Sequence, residues 1–258
     1  MEVSEREYWV ETNDGRLFAK SWTPGALAST TPMVLFHDSL GCVDLWRDFP
    51  NILADRTGRR VIAYDRLGFG RSDAQADPVQ LDFIASEGKR LLPMLAEKLD
   101  FREFLACGHS VGGGMAIETA ARMPDVCKAA ITIAAQAFVE EQTLDGIRQA
   151  KMAFTSPEAL SRLRKYHGAK TEWVLRAWID TWLFEEFAGW DLDEALERMR
   201  CSLLVIHGDR DEYGSITHPR RLTAFGGTMC ILEDIGHTPH RDHPELLADA
   251  IAGWLQSQ

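Results

Sequence analysis

Apolar residues occur along this chain in short, nearly continuous runs, each followed by a longer segment with helical spacing. Four such runs occur before residue 136, at 32–36, 59–65, 104–108 and 128–135. Strands that are apolar at every position are buried on both faces, and in parallel sheets they alternate with helices. Segments with helical spacing follow at 45–57, 80–99 and 112–123. The pattern therefore predicts an α/β fold with a mostly parallel central sheet flanked by helices.

The two ends of the chain extend this pattern. Residues 8–13 and 17–22 are strand-like and flank Asp14 and Gly15, so a hairpin is expected there. Towards the other end, strand-like runs and one helical segment resume the alternation at 202–209, 228–234 and 244–256. All of these elements fit a single sheet.

Residues 139–199 interrupt the alternation, because strand-like runs are absent and helix-like sequence is rich in tryptophan and phenylalanine. Trp178 and Trp182 are four residues apart, so they share one face of a helix. We therefore predict a core domain formed by 1–138 and 200–258, with a helical cap inserted at 139–199. The aromatic rings either line a pocket or only attach the cap to the core.

Charge and composition narrow the possible partners. The chain has 28 Lys and Arg against 39 Asp and Glu, a net charge of −11. A phosphate backbone repels this charge, so no nucleic-acid partner is expected. No stretch approaches 18 uninterrupted apolar residues and the N-terminal sequence lacks an apolar signal region, so we expect neither a membrane span nor a signal peptide. The five cysteines are scattered singly, which favours a cytoplasmic protein without a disulfide framework or zinc site.

The run at 104–108 leads directly into the sequence GHSVG at 108–112, which helix-like sequence follows. A G-x-S-x-G sequence between a strand and a helix is typical of a strained turn that exposes a nucleophilic serine. The glycines supply the space for the turn, and the Ser110 hydroxyl is expected at the head of the helix. The alternative is that Ser110 only caps this helix.

A nucleophilic serine needs a base, and the base needs a carboxylate to orient it. In α/β proteins with such a serine turn, the acid follows the serine along the chain and the histidine comes last. Asp211 is the preferred acid, because it lies a few residues beyond the strand at 202–209 and can therefore reach the histidine. His237 is the preferred base, because it follows a glycine in the loop after 228–234. The other candidates are Asp209, Glu212 and Asp234 for the acid, and His240 and His243 for the base.

Taken together and in this order, the motifs resemble the α/β-hydrolase superfamily, in particular serine hydrolases of the esterase or acyl hydrolase type with a helical cap. The resemblance covers nearly the whole chain and includes HDSLG at 37–41, YDRLGFGRSD at 64–73, GHSVGG at 108–113, HGDRD at 207–211 and GHTPHRDHPE at 236–245. It implies a catalytic triad of Ser110, Asp211 and His237. It also implies an oxyanion hole formed by the backbone N–H groups of Ser39 and Val111.

The loop after the first buried run departs from the family pattern. Where the family commonly has His-Gly, this chain has His37 and Asp38. We expect Asp38 to tie down neighbouring backbone N–H groups, and the alternative is a carboxylate that borders the acyl pocket. The candidate pocket residues are Asp38, Leu40, His109, Trp178 and Trp182.

The glycine-rich stretch 64–73 resembles phosphate-binding loops only superficially. It lacks the lysine of a P-loop and the G-x-G-x-x-G spacing of a dinucleotide site. It is expected to be a structural turn in which Asp65, Arg66 and Ser72 satisfy backbone groups and one another. No cofactor and no metal are implied.

The leading hypothesis is a cofactor-independent serine hydrolase that forms an acyl-enzyme at Ser110, with a small, largely apolar carboxylic ester as the favoured substrate. A serine nucleophile argues against the dehalogenase and epoxide hydrolase relatives, which use aspartate. A ligand-binding or receptor protein with slow turnover is the alternative from another class. Acyltransferase, perhydrolase and C–C hydrolase chemistry on the same triad also remain open. A small-molecule substrate and a monomer or homodimer are expected.

Overall fold

The computed structural model describes residues 2–258, which contain one eight-stranded sheet. Its strands are β1 (Val3–Thr12), β2 (Gly15–Pro24), β3 (Ser29–Phe36), β4 (Arg59–Tyr64), β5 (Phe104–His109), β6 (Cys127–Ile133), β7 (Ser202–Gly208) and β8 (Thr228–Leu232). Their order across the sheet is β1-β2-β4-β3-β5-β6-β7-β8. The β1–β2 hairpin and the β2–β4 pair are antiparallel, whereas all other neighbours are parallel. The predicted fold is confirmed.

Helices cover both faces of the sheet. They are α1 (Phe49–Thr57), α2 (Phe83–Leu99), α3 (Val111–Arg122), α4 (Glu141–Ala153), α5 (Pro157–His167), α6 (Thr171–Trp182), α7 (Asp193–Arg198), α8 (Thr217–Leu222), α9 (Pro239–Asp242) and α10 (Pro244–Gln256). Apolar residues of α1 and α10 form one core with the sheet, and those of α2 and α3 form another. None of the helices within residues 2–258 is both long and apolar enough to cross a bilayer.

Adjacent residues of β3 belong to different cores. Val34 and Phe36 pack with α2 and α3, whereas Met33 and Leu35 pack with α1 and α10. All four side chains are completely buried, because successive side chains of a strand point to opposite faces of the sheet. This two-sided burial is the reason why the run is apolar at every position.

The first helix begins later than its spacing predicts. Val43–Trp46 form a separate 3-10 helix, and α1 begins only at Phe49. Pro50 lies in the first turn of α1, where its missing N–H removes no intrahelical hydrogen bond. Gly58 ends the helix with a left-handed φ of 60°.

The stretch between β6 and β7 consists of helices, as its sequence predicts. It holds α4 to α7, and within the described chain its one strand-like pairing is an isolated bridge between Phe138 and Asp191. Trp178 and Trp182 both lie on α6. The division into a core and a cap at 139–199 stays a prediction.

Candidate active site

Ser110 occupies a strained turn between β5 and α3. Its backbone angles are φ 55° and ψ −125°, in a sparsely populated region that costs a residue about 1–3 kcal/mol. The turn requires glycine on both sides. A Cβ on Gly108 would lie 1.9 Å from the carbonyl oxygen of Gly112, and a Cβ on Gly112 would lie 2.1 Å from that of Phe36. The strained turn predicted from the G-x-S-x-G sequence is therefore present.

The Ser110 hydroxyl donates a hydrogen bond to the side chain of Gln136. The distance between Ser110 Oγ and Gln136 Oε1 is 3.3 Å, and both residues line the same cavity as His237. No hydrogen bond within residues 2–258 joins Ser110 to the His237 ring. Gln136 lies shortly after the end of β6. Sequence reasoning missed Gln136, and its place at a strand end was the one available signal.

The His237 ring is held by a carboxylate from a neighbouring loop. Both carboxylate oxygens of Asp211 lie 2.9 Å from Nδ1 of His237, and both side chains are buried. Asp211 follows β7, and the backbone N–H groups of Tyr213 and Gly214 donate to its Oδ1 at 2.8 and 3.1 Å. These two donors fix the orientation of the carboxylate towards the ring.

The rival acids point elsewhere. Asp209 is exposed, and Asp234 pairs with an arginine at the surface. Glu212 accepts a hydrogen bond from the backbone N–H of His237 at 3.3 Å. Asp211 is thus the acid that the structure places at the His237 ring.

The contact between Asp211 and His237 shifts the pKa of each group in the direction opposite to the effect of burial. Burial raises the pKa of Asp211, but the charge and hydrogen bond of His237 leave that pKa below its ordinary value. Burial lowers the pKa of His237, but the charge and hydrogen bond of Asp211 leave that pKa above its ordinary value. The pair therefore stabilises a protonated imidazole, as a histidine that accepts a proton during a reaction requires.

Two backbone N–H groups near Ser110 are the predicted oxyanion donors, one in the loop after β3 and one directly after the strained turn. Ser39 follows β3 and lines the cavity, and Val111 is the first residue of α3, where N–H groups have no intrahelical acceptor. Neither N–H donates to another group of the described chain. Since Phe36 of β3 pairs with Gly108 of β5, the two loops start side by side. Their role as an oxyanion hole stays a prediction.

Asp38 is tied to the backbone of its own loop and also borders the cavity, as the two interpretations of its position proposed. Its Oδ1 accepts a hydrogen bond from the backbone N–H of Leu40 at 2.8 Å, which is the expected tie to the loop. Its Oδ2 lies 3.2 Å from Nδ1 of His109 and 3.1 Å from Nη2 of Arg241. The side chain also lines the cavity, so the two interpretations are not exclusive.

Other histidines support the loops around the site. Nδ1 of His37 lies 2.8 Å from the carbonyl oxygen of Asp38, and its Nε2 accepts from the backbone N–H of Arg66 at 3.2 Å. His240, a rival for the base, is buried against the ring of Trp46 at a centroid distance of 4.9 Å. His243 lies at the junction before α10.

The stretch 64–73 is a structural turn, as predicted. Asp65 accepts two backbone N–H groups at 2.6 Å each, and the Ser72 hydroxyl donates to the carbonyl of Asp65 at 2.6 Å. Arg66 also satisfies a backbone group, but one outside this stretch. Its long side chain reaches the loop after β3, where it donates to the Asp38 carbonyl at 2.9 Å.

A cavity of about 450 Å³ opens in front of Ser110. The candidate pocket residues all line it, namely Asp38, Leu40, His109, Trp178 and Trp182. Sequence reasoning missed other lining residues, among them Gln136, Phe154, Tyr166, Tyr213 and Arg241. The ring of Trp173 instead packs against Phe69, and that of Trp190 stacks on Phe187. Some of the aromatic residues of 139–199 thus line the cavity and others serve packing.

Three possible metal ligands lie together beside this cavity. The ligand atoms of Asp38, His109 and His240 are within 4.8 Å of one another, and Nδ1 of His240 is buried without a partner in the described chain. However, the Arg241 guanidinium already pairs with the Asp38 carboxylate, and its charge repels a cation. The cluster is better described as an ion-paired network than as a metal site.

The fold and the position of the site define the class of the protein. A mostly parallel sheet with the candidate residues in loops at the carboxyl ends of its strands is the α/β-hydrolase fold. A model of the alpha/beta hydrolase family matches residues 33–250. The chain therefore belongs to the alpha/beta hydrolase family.

Individual relatives are distant. The chain is 27% identical to a non-heme chloroperoxidase from Streptomyces lividans, over 96% of this chain and 99% of that protein. It is 27% identical to a bifunctional esterase/perhydrolase from Acinetobacter calcoaceticus, over 79% of this chain and 82% of that protein. The solved structure of a carboxylesterase from Bacillus subtilis aligns with a TM-score of 0.71 at 18% identity, over 99% of this chain and 93% of that one. This last likeness shows the fold alone.

Proposed function

We propose that the protein is a cofactor-independent serine hydrolase that cleaves an acyl bond. The observation that carries the proposal is the 2.9 Å contact between Asp211 and His237, beside the cavity into which the strained turn presents Ser110. In this proposal Ser110 is the nucleophile and His237 is the base. Asp211 orients the base and stabilises its protonated form.

The reaction begins with a rotation of the Ser110 hydroxyl. In the structure the hydroxyl donates to Gln136, so it must turn towards Nε2 of His237 before it can lose its proton. Attack on the acyl carbonyl then places negative charge near the N–H groups of Ser39 and Val111, and one such donor is typically worth about 10²–10³ in rate. The protonated His237 passes its proton to the leaving group, and water hydrolyses the acyl-enzyme by the same route.

The cavity favours a small, largely apolar acyl group. Its volume of about 450 Å³ lies within the range typical of small-molecule sites. Trp178 and Trp182 of α6 and Leu163 of α5 contribute apolar surface to it. We therefore propose that the helices within 139–199 act as a cap that selects the acyl group.

A fluorophosphonate probe and a series of p-nitrophenyl esters test the proposal. The wild-type protein should take up one label at Ser110, located by mass spectrometry, and should turn over the esters steadily. Ser110→Ala should lose both properties. Ser257→Ala, which removes an exposed hydroxyl at the end of α10, should retain both. Absence of labelling at Ser110 would reject the hydrolase, and ester binding without turnover would favour a ligand-binding protein.

Perhydrolysis is a second candidate, favoured by the similarity to the bifunctional esterase/perhydrolase. In this reaction hydrogen peroxide instead of water attacks the acyl-enzyme at Ser110 and releases a peracid. Peracid formation from an ester and hydrogen peroxide, compared between the wild type and Ser110→Ala, tests it. Ester hydrolysis without any peracid would reject perhydrolysis and leave hydrolysis as the remaining function.

A further inference from the structure

The loop after β3 and the loop after β8 are joined through the side chains of Asp38 and His109. His109 precedes the nucleophile position, and its Nδ1 lies 3.2 Å from Oδ2 of Asp38. Its Nε2 lies 2.7 Å from the carbonyl oxygen of His237. The His109 ring is 1% exposed, so solvent does not replace these contacts. One imidazole therefore connects the loop of Ser39 with the loop of His237.

The contact with His237 determines where the hydrogen of His109 lies. A carbonyl oxygen only accepts hydrogen bonds, so Nε2 must carry a hydrogen that it donates to His237. Burial lowers the pKa of His109, so the ring is neutral and this is its one N–H group. Burial raises the pKa of Asp38, but the contacts with His109 and Arg241 leave that pKa well below its ordinary value, so the carboxylate is ionised and pairs with Arg241.

The remaining contacts of Asp38 use the rest of its carboxylate. Oδ1 accepts the Leu40 N–H and thereby shapes the turn that contains Ser39. Oδ2 also accepts from Arg241 at 3.1 Å, and Arg241 in turn donates to the carbonyl of Leu45 at 3.2 Å. Groups from three separate segments thus contact one side chain.

We propose that Asp38 is a positioning residue that, through its contacts with Leu40, Arg241 and His109, fixes the Ser39 N–H and the His237 loop relative to each other. This inference rests on the proposed function, because it assigns Asp38 a task in the same reaction. The oxyanion donor and the base act on one substrate carbonyl, so their spacing affects the transition state more than substrate binding. A glycine at this position would provide none of the three contacts.

Two substitutions separate the charge of Asp38 from its hydrogen bonds. Asp38→Ala removes all three contacts, so kcat for a nitrophenyl ester should fall roughly 10- to 100-fold with little change in KM, since a 1 Å misplacement of reacting groups costs about 10²-fold. Asp38→Asn keeps the bond to Leu40, and its amide can donate to an unprotonated Nδ1 of His109. It should therefore lose less activity than Asp38→Ala. Asp234→Asn, at an exposed carboxylate after β8, is the matched control and should retain wild-type kcat.

Imidazole NMR of the resting protein provides a readout that would not change if Asp38 had a merely structural role. The wild type should show one exchange-protected ring proton on His109, at the Nε2 that donates to the His237 carbonyl. In Asp38→Ala this proton should lose its protection, because the His237 loop is no longer held against the ring, whereas Asp38→Asn should keep it. Wild-type kcat in Asp38→Ala, or an Nε2 proton as protected in Asp38→Ala as in the wild type, would overturn the inference. Failure of the proposed function looks different, because the wild type would then neither label nor hydrolyse esters while its NMR signals stayed intact.

Discussion

Replacing Gly112 by alanine should disable the candidate active site while most of the fold persists. A Cβ there would lie 2.1 Å from the carbonyl oxygen of Phe36 and 2.8 Å from that of His37. Both are backbone atoms that cannot rotate away. The start of α3 and the end of β3 must therefore separate by about 1 Å, and a misplacement of this size costs roughly 10²-fold in rate. Overpacking of this kind also destabilises a protein by about 1–3 kcal/mol.

The rate of fluorophosphonate labelling measures the first effect of Gly112→Ala, and urea denaturation measures the second. Gly253→Ala is the matched control, because Gly253 is an exposed position in α10 where an added Cβ has no atom within 4 Å. This control should label at the wild-type rate and gain about 0.5–1 kcal/mol in stability. A Gly112→Ala protein that labels as fast as the wild type would refute the reasoning, because the turn would then tolerate the side chain.

Three further predictions concern the carboxylates and the cavity wall. Because Asp211 raises the pKa of His237, kcat/KM should be lost as the pH falls through a value above the ordinary histidine pKa. In Asp211→Asn this acid limb should move to lower pH while kcat falls by about 10⁴-fold, and an unmoved limb would contradict the pairing. Asp65→Ala leaves the buried N–H of Val43 and the part-buried N–H of Arg71 without an acceptor, so the free energy of unfolding measured in urea should drop by about 1–3 kcal/mol for the buried group. Trp178→Ala enlarges the cavity and should shift the preferred nitrophenyl ester to a longer acyl chain, whereas Trp173→Ala, outside the cavity, should leave the preference unchanged.

Features that depend on residues close together in the sequence were predictable from it. The apolar run that ends at Phe36 predicts a strand buried on both faces, and the structure shows the two cores that require it. The spacing of Gly108 and Gly112 predicts a strained turn, because only glycine fits where backbones approach within a Cβ radius. The choice of Asp211 over Asp209 also followed from local geometry, since a loop needs length to reach across to the next strand.

Contacts made by long or isolated side chains were not predictable in this way. Gln136 belongs to no motif, and its place beside Ser110 depends on how β6 and β5 end relative to each other. Arg66 was expected to satisfy backbone groups, but the sequence did not identify the Asp38 carbonyl as its acceptor, because an arginine side chain is long enough to reach several acceptors. Two partners of Asp38, His109 and Arg241, come from segments that only the folded sheet brings together, so no spacing in the sequence encodes them.

The contact between Asp38 and Arg241 joins residues that are 203 positions apart in the chain. Closing a loop of this length is entropically unfavourable, and folds rich in such long-range contacts form slowly. The site is therefore complete only when the segment that precedes α10 has docked against the first half of the sheet. On refolding, ester hydrolysis should return after the helical signal, and a chain that ends midway would contain Ser110 without Asp211 and His237.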